Sequence, residues 1–96
     1  MANSKVPFEN HIQFGREFGS SENPITSLSN IPVGTSGTVF LDSSIRPNAN
    51  SGTYTYICFG TSDRKILLVG LATSSGTAYT NNSNGSTWRG WKQITP

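Results

Sequence analysis

The side chains of this chain best suited to chemistry are aromatics and amides. Tyr54, Tyr56, Tyr79, Trp88 and Trp91 form one set; Asn48, Asn50, Asn81, Asn82, Asn84 and Arg89 form the other. Aromatic faces pack against the C–H surface of a sugar ring, while planar amides and a guanidinium bond its hydroxyls. Tyr54, Tyr56, Tyr79, Asn81, Asn82, Trp88 and Arg89 are therefore the candidate glycan-binding residues. The same aromatics could equally fill a core, since each can bury about 150–250 Å². Trp88 and Trp91 lie three positions apart, so a regular strand would point them to opposite faces. Gly90 between them offers a bend or bulge that would change this.

Other chemistries find less support. Hydrolysis of a glycan requires two carboxylates held across a cleft, and the acids Glu9, Glu17, Glu22, Asp42 and Asp63 show no pair marked by spacing. Asp63 falls where a turn is expected, a place where Asp caps backbone amides. Glu17 and Glu22 flank a Gly-Ser-Ser loop and read as solvated. His11 is the sole histidine, and no Gly-x-Ser-x-Gly elbow accompanies it. Cys58 is the sole cysteine, so neither an intrachain disulfide nor a Cys/His metal site can be assembled. Its apolar neighbours mark it as an inert buried thiol. The glycine pairs at 15/19 and 34/37 lack the Lys-Ser/Thr and helix of a phosphate cradle and read as turns. Two Asn-x-Ser triplets, at Asn81 and Asn84, are of a kind common by chance in such loops. No enzyme activity, no cofactor and no metal are expected.

The elements that must position the aromatics are strands. Residues 37–41, 53–61, 65–72, 76–80 and 87–94 carry β-favouring runs. In the second, Tyr54, Tyr56 and Cys58 share one face and Thr53, Thr55, Ile57 and Phe59 the other. Ile66-Leu-Leu-Val69 shows no alternation, so this strand should be central and covered on both sides, by the rest of the domain and by a neighbouring subunit. Residues 61–64 and the pair Asn84-Gly85 mark hairpin turns. Ile25, Leu28 and Ile31, bracketed by Pro24 and Pro32, allow a helical turn or two. The Pro/Asn-rich stretch 43–52 should be a surface loop. The expected fold class is all-β, a small antiparallel sandwich or sheet. Residues 1–24 form an extended N-terminal arm or shaft junction and residues 25–96 the β domain, with Gly15 and Gly19 breaking any long helix in the arm.

Composition narrows the setting. Ser, Thr and Asn fill 34 of 96 positions while charged residues make up 12%, so the surface is hydroxyl and amide rather than ionic. That suits contact with sugar hydroxyls and is equally ordinary for extracellular and viral β domains. A net charge of +2 spread over dispersed Lys and Arg does not point to nucleic acid. No apolar run approaches the roughly 20 residues of a membrane helix, and residues 1–7 lack the apolar core of a signal peptide. A chain of this size buries only somewhat over ~60% of its unfolded surface. With disulfide and metal set aside, oligomerisation is the remaining source of stability.

Residues 76–96 place a Tyr-bearing strand, a polar turn and a closing strand in succession, with Gly76, Tyr79, Trp88, Trp91 and Ile94 in the pattern Gly-x-x-Tyr, turn, Trp-x-x-Trp and an apolar residue. This resembles the end of the knob domains of bacteriophage tail fibres and of the related R-type pyocin fibres. The resemblance extends more loosely over about the last seventy residues and departs from the usual pattern in the 43–52 insertion and the first third. It implies a homotrimer at a tail fibre or tailspike tip on the virion, released on host lysis. Its partner would be a bacterial surface polysaccharide or lipopolysaccharide. The alternative within this resemblance is a structural trimerisation cap with no receptor binding of its own. A sugar-orienting accessory to an upstream depolymerase and a cellular lectin module are weaker readings.

Overall fold

The alternation visible in residues 53–59 propagates through the described residues as one seven-stranded β-sheet. The computed structural model describes residues 12–71 and 76–96. Its strands are β1 (Gln13–Phe18), β2 (Thr35–Phe40), β3 (Thr53–Thr61), β4 (Arg64–Gly70), β5 (Ala78–Asn84), β6 (Thr87–Trp88) and β7 (Lys92–Gln93). They lie in the order β1-β2-β3-β4-β5-β6, with β7 also paired to β5. Of the two expected arrangements, sandwich or sheet, the chain takes the sheet. A single 3-10 turn, Leu28–Asn30, occupies the place expected for a short helix. His11 and the rest of residues 1–11, a little under half of the arm, lie outside the described residues.

Every neighbouring pair is antiparallel except β1–β2, which is parallel. Parallel neighbours need a long crossover, about a dozen residues or more, and residues 19–34 supply it. Residues 13–18, expected within an extended arm, are thus an edge strand of the sheet. Hairpin contacts between sequence neighbours are readable from local pattern; a pairing made across such a crossover is not.

One face of the sheet is covered. Val39 and Leu41, then Tyr54, Tyr56 and Cys58 of β3, Leu67 and Val69 of β4, and Leu28 and Ile31 of the crossover form the core. The covering layer has almost no regular structure. It consists of the crossover, with its 3-10 turn, and the connection 42–52 between β2 and β3, whose Ile45 packs on the core. Polar side chains pin both segments to the sheet. Lys65, buried on central strand β4, donates from Nζ to the Ser29 and Ile31 carbonyls at 3.0 and 2.8 Å. The Tyr54 hydroxyl donates to the Ser51 carbonyl at 2.6 Å, has the Asn48 carbonyl at 3.1 Å, and accepts from the Asn48 amide at 3.2 Å. The 43–52 stretch is consequently an ordered cover rather than a free loop.

The other face is open. Ile57, Phe59, Ile66 and Leu68 line it in register, with Ile57 opposite Leu68 and Phe59 opposite Ile66. Phe59 and Ile66 are 38% and 41% exposed, and Ile94 is 54% exposed. β4 sits centrally, as expected, but burial along it alternates. Within the chain it is therefore covered on one side, not two.

Candidate functional site

The closing hairpin decides the fate of the tryptophans. Asn84 pairs with Thr87, so the two-residue loop is Gly85-Ser86, one position later than the Asn84-Gly85 centre expected. Gly85 has φ +68 and Ser86 does not have a positive φ, the requirement of a hairpin turn with glycine in its first central position. Beyond the turn, Ser83 pairs with Trp88, whereas Tyr79 pairs with Gln93. The register slips by one residue between β6 and β7, and Gly90, at φ +111, absorbs the slip. The extra residue brings Trp88 and Trp91 to the same face in spite of their odd spacing.

That face is the covered one. Trp88 Nε1 donates to Ser29 Oγ at 3.0 Å, and Trp91 Nε1 to the Ile45 carbonyl at 2.7 Å. Each indole thereby ties one of the two covering segments down. Asn81 holds the slip itself: its side-chain oxygen accepts from the Asn82 and Gly90 amides at 2.9 and 3.0 Å. The sequence allowed for such a bulge at Gly90; it gave no sign that Asn81 would brace it.

The seven glycan-binding candidates do not converge on one surface. Tyr54, Tyr56 and Asn81 are buried, with hydrogen bonds inside the domain, and are inaccessible to a ligand. Tyr56 donates to Thr35 Oγ1 at 2.8 Å, and Thr35 in turn to the Pro32 carbonyl at 2.7 Å. Tyr79 and Trp88 are half-buried against the core. Only Asn82 and Arg89 are exposed.

Two of the acids weighed for catalysis, Asp42 and Asp63, and the Cys58 thiol are likewise occupied in structure. Asp42 accepts from the Ser44 amide and hydroxyl at 3.1 and 2.6 Å, and these bonds hold its carboxyl below the usual range. Asp63 sits in the β3–β4 turn, as expected, and accepts from Thr61 Oγ1 at 3.2 Å. Burial pushes the Cys58 thiol up, partly countered by the Lys65 charge. Among the described residues no three His, Cys, Asp or Glu gather as a metal site, and no helix is long and apolar enough to cross a membrane.

Two hollows mark the open face instead. At one end a cavity of about 320 Å³ lies over Gly70, with Ile57, Leu68, Ala78 and Ile94 around it. At the other end a cavity of about 330 Å³ is lined by Arg64, Ile66, Thr80 and Asn82. Ile66 and Gly70 lie four steps apart along β4, a distance of about 13 Å at strand rise. Sequence reading assigned Arg64 to a turn and left Phe59 and Ile66 without a role. Their signal was the strand alternation that put Phe59 on the face opposite the tyrosines. No family model, no curated protein and no solved structure matches the chain.

Proposed function

We propose that the chain is the terminal knob of a bacteriophage tail fibre or tailspike, a homotrimer on the virion that attaches it to polysaccharide or lipopolysaccharide on the bacterial surface without chemical turnover. The observation that carries this reading is the open sheet face. A domain this small leaves Ile57, Leu68 and Ile94 around an apolar hollow, and further copies of the chain are the covering such a surface calls for. The resemblance of residues 76–96 to fibre knobs supplies the trimer. Three copies turn weak single sites into firm attachment through effective concentration.

A structural cap is the second reading, favoured by the burial of Tyr54, Tyr56 and Asn81. It assigns the same open face to association and no ligand to the domain. Light scattering separates the association step from everything else. The wild-type chain is expected at three times its monomer mass, and Leu68→Asp with Ile94→Asp at monomer mass with an unchanged circular dichroism spectrum. A wild-type monomer at micromolar concentration would overturn the trimer. A glycan array probed with the trimer then divides attachment, which lights up surface polysaccharides, from capping, which leaves the array dark.

A further inference from the structure

The end of the open face away from the Gly70 hollow has a different chemistry. Arg64, Ile66, Leu68 and Gly70 alternate along β4 with buried Lys65, Leu67 and Val69, so Arg64 and Ile66 stand side by side on the open face. Asn82 of β5 is directly opposite Ile66, and Phe59 of β3 is directly opposite it on the other side. A row Phe59–Ile66–Asn82 results, with Arg64 one step along the strand. Cross-strand partners stand about 4.5–5.5 Å apart, so a small ring seated on Ile66 reaches Asn82, its neighbour on β5.

The polar groups of this corner are unspent. Among the described residues the Arg64 guanidinium makes no ion pair or hydrogen bond, and neither does the Asn82 side-chain amide. Asp63, the nearest acid in sequence, turns its carboxylate to the Thr61 hydroxyl. Thr80 uses its hydroxyl as a donor to the Leu67 carbonyl at 3.2 Å, which leaves its lone pairs free to accept. The 330 Å³ cavity among them is within the range of small-ligand sites, about 300–1,000 Å³.

We propose that this corner is the binding site for an acidic sugar unit, one that carries a carboxylate or a phosphate; the inference rests on the glycan-attachment reading above. The Arg64 guanidinium takes the anionic group, by two parallel N–H bonds where the geometry is planar. The Asn82 amide donates to and accepts from ring hydroxyls. Ile66 packs against the C–H face of the ring, and Phe59, beside it on β3, borders the site outside the cavity. Neutral sugars lose the charge-assisted bond, so the corner selects for acidic ones. It lies at the Arg64 end of the open face, and the apolar hollow assigned to association at the Gly70 end.

The test uses the whole chain and three probes: an oligogalacturonate, a phosphorylated hexose oligomer and a neutral glucose oligomer. Affinity is read by titration calorimetry, and location by the NMR shift of the Asn82 side-chain amide. Either acidic probe is expected to move that resonance and to bind about tenfold more weakly to Arg64→Gln, the loss of one charge-assisted contact. Asn82→Ala is expected to weaken binding less, and Arg16→Gln, on the far edge strand, not at all. Which acidic probe binds better identifies carboxylate or phosphate as the recognised group. Unchanged affinity in Arg64→Gln, or a preference for the neutral oligomer, overturns this site while leaving glycan attachment in place. A folded trimer that binds no probe and no array glycan overturns both.

Discussion

The two faces of the sheet are built from interleaved residues of the same strands, yet one is sealed and the other is not. On β3 and β4 the sealed face carries Tyr54, Tyr56, Cys58, Leu67 and Val69, and the open face Ile57, Phe59, Ile66 and Leu68. Apolar character alone does not distinguish them. The difference lies in what the chain can lay across each. The two long connections, 19–34 and 42–52, both pass over one side, and four polar groups, those of Lys65, Tyr54, Trp88 and Trp91, fasten them there. Lys65 illustrates the economy of the arrangement: its stem crosses apolar core while its ammonium meets the Ser29 and Ile31 carbonyls. Among the described residues no segment is left to cover the second side.

The sharpest way to break this comparison is a pair of neighbours. Leu67 is fully buried and Ile66 is 41% exposed. Leu67→Ala is expected to cost about 2–5 kcal/mol by urea denaturation, the price of a core cavity, and Ile66→Ala less than about 1 kcal/mol. Equal losses would mean that the faces are equally sealed and that the open face is covered by chain.

The bulge at Gly90 carries the next largest effect, because it alone lets both tryptophans reach the covered side. A Cβ at Gly90 would meet nothing within 4 Å, but the residue sits at φ +111, where side chains are strained. Gly90→Ala is therefore expected to lose about 1–3 kcal/mol through backbone strain. Relief of that strain would move Trp91 off the Ile45 carbonyl. The checks are urea denaturation and tryptophan fluorescence, which should shift to the red as an indole gains water. A variant with wild-type stability and emission would show that regular strand geometry already accommodates both indoles.

That dependence explains what could be read from the sequence. The β3 alternation, the 61–64 turn and the short helical turn near Leu28 follow from local spacing, and the structure has each of them. The Ile66–Val69 run signals cover on both sides; within the chain the sheet has one covered face, and burial alternates along β4. The parallel β1–β2 pair joins residues separated by a long crossover and leaves no local trace. For the site, tyrosine and tryptophan drew attention as sugar platforms, but their hydroxyl and indole N–H groups suit them equally to pinning a cover. Phe59 has no such polar handle, and Arg64 beside a turn resembles any solvated cation. Their relation appears only when β3, β4 and β5 are set in register.

The smallest of the expected effects comes from alkali, and its sign separates the faces again. Burial raises the ionisation of Tyr54, Tyr56 and Cys58 above their ordinary ranges, opposed in turn by the hydrogen bonds that Tyr54 makes with Asn48 and Tyr56 with Thr35, and by the Lys65 charge. All three lie on the sealed side. A group whose folded value is raised stabilises the fold fully below its unfolded value, and that contribution fades as pH climbs through the folded one. Stability should hold to about pH 8 and fall from about pH 9 upward, as thiol and then phenols ionise more readily in the unfolded chain. Phenolate absorbance at 295 nm and circular dichroism, followed together, report it. Tyr54 and Tyr56 should ionise only as the sheet unfolds. If Tyr54 and Tyr56 titrate near pH 10 with the sheet intact, the covering segments admit water to the hydroxyls, and the sealed face is as open as its opposite.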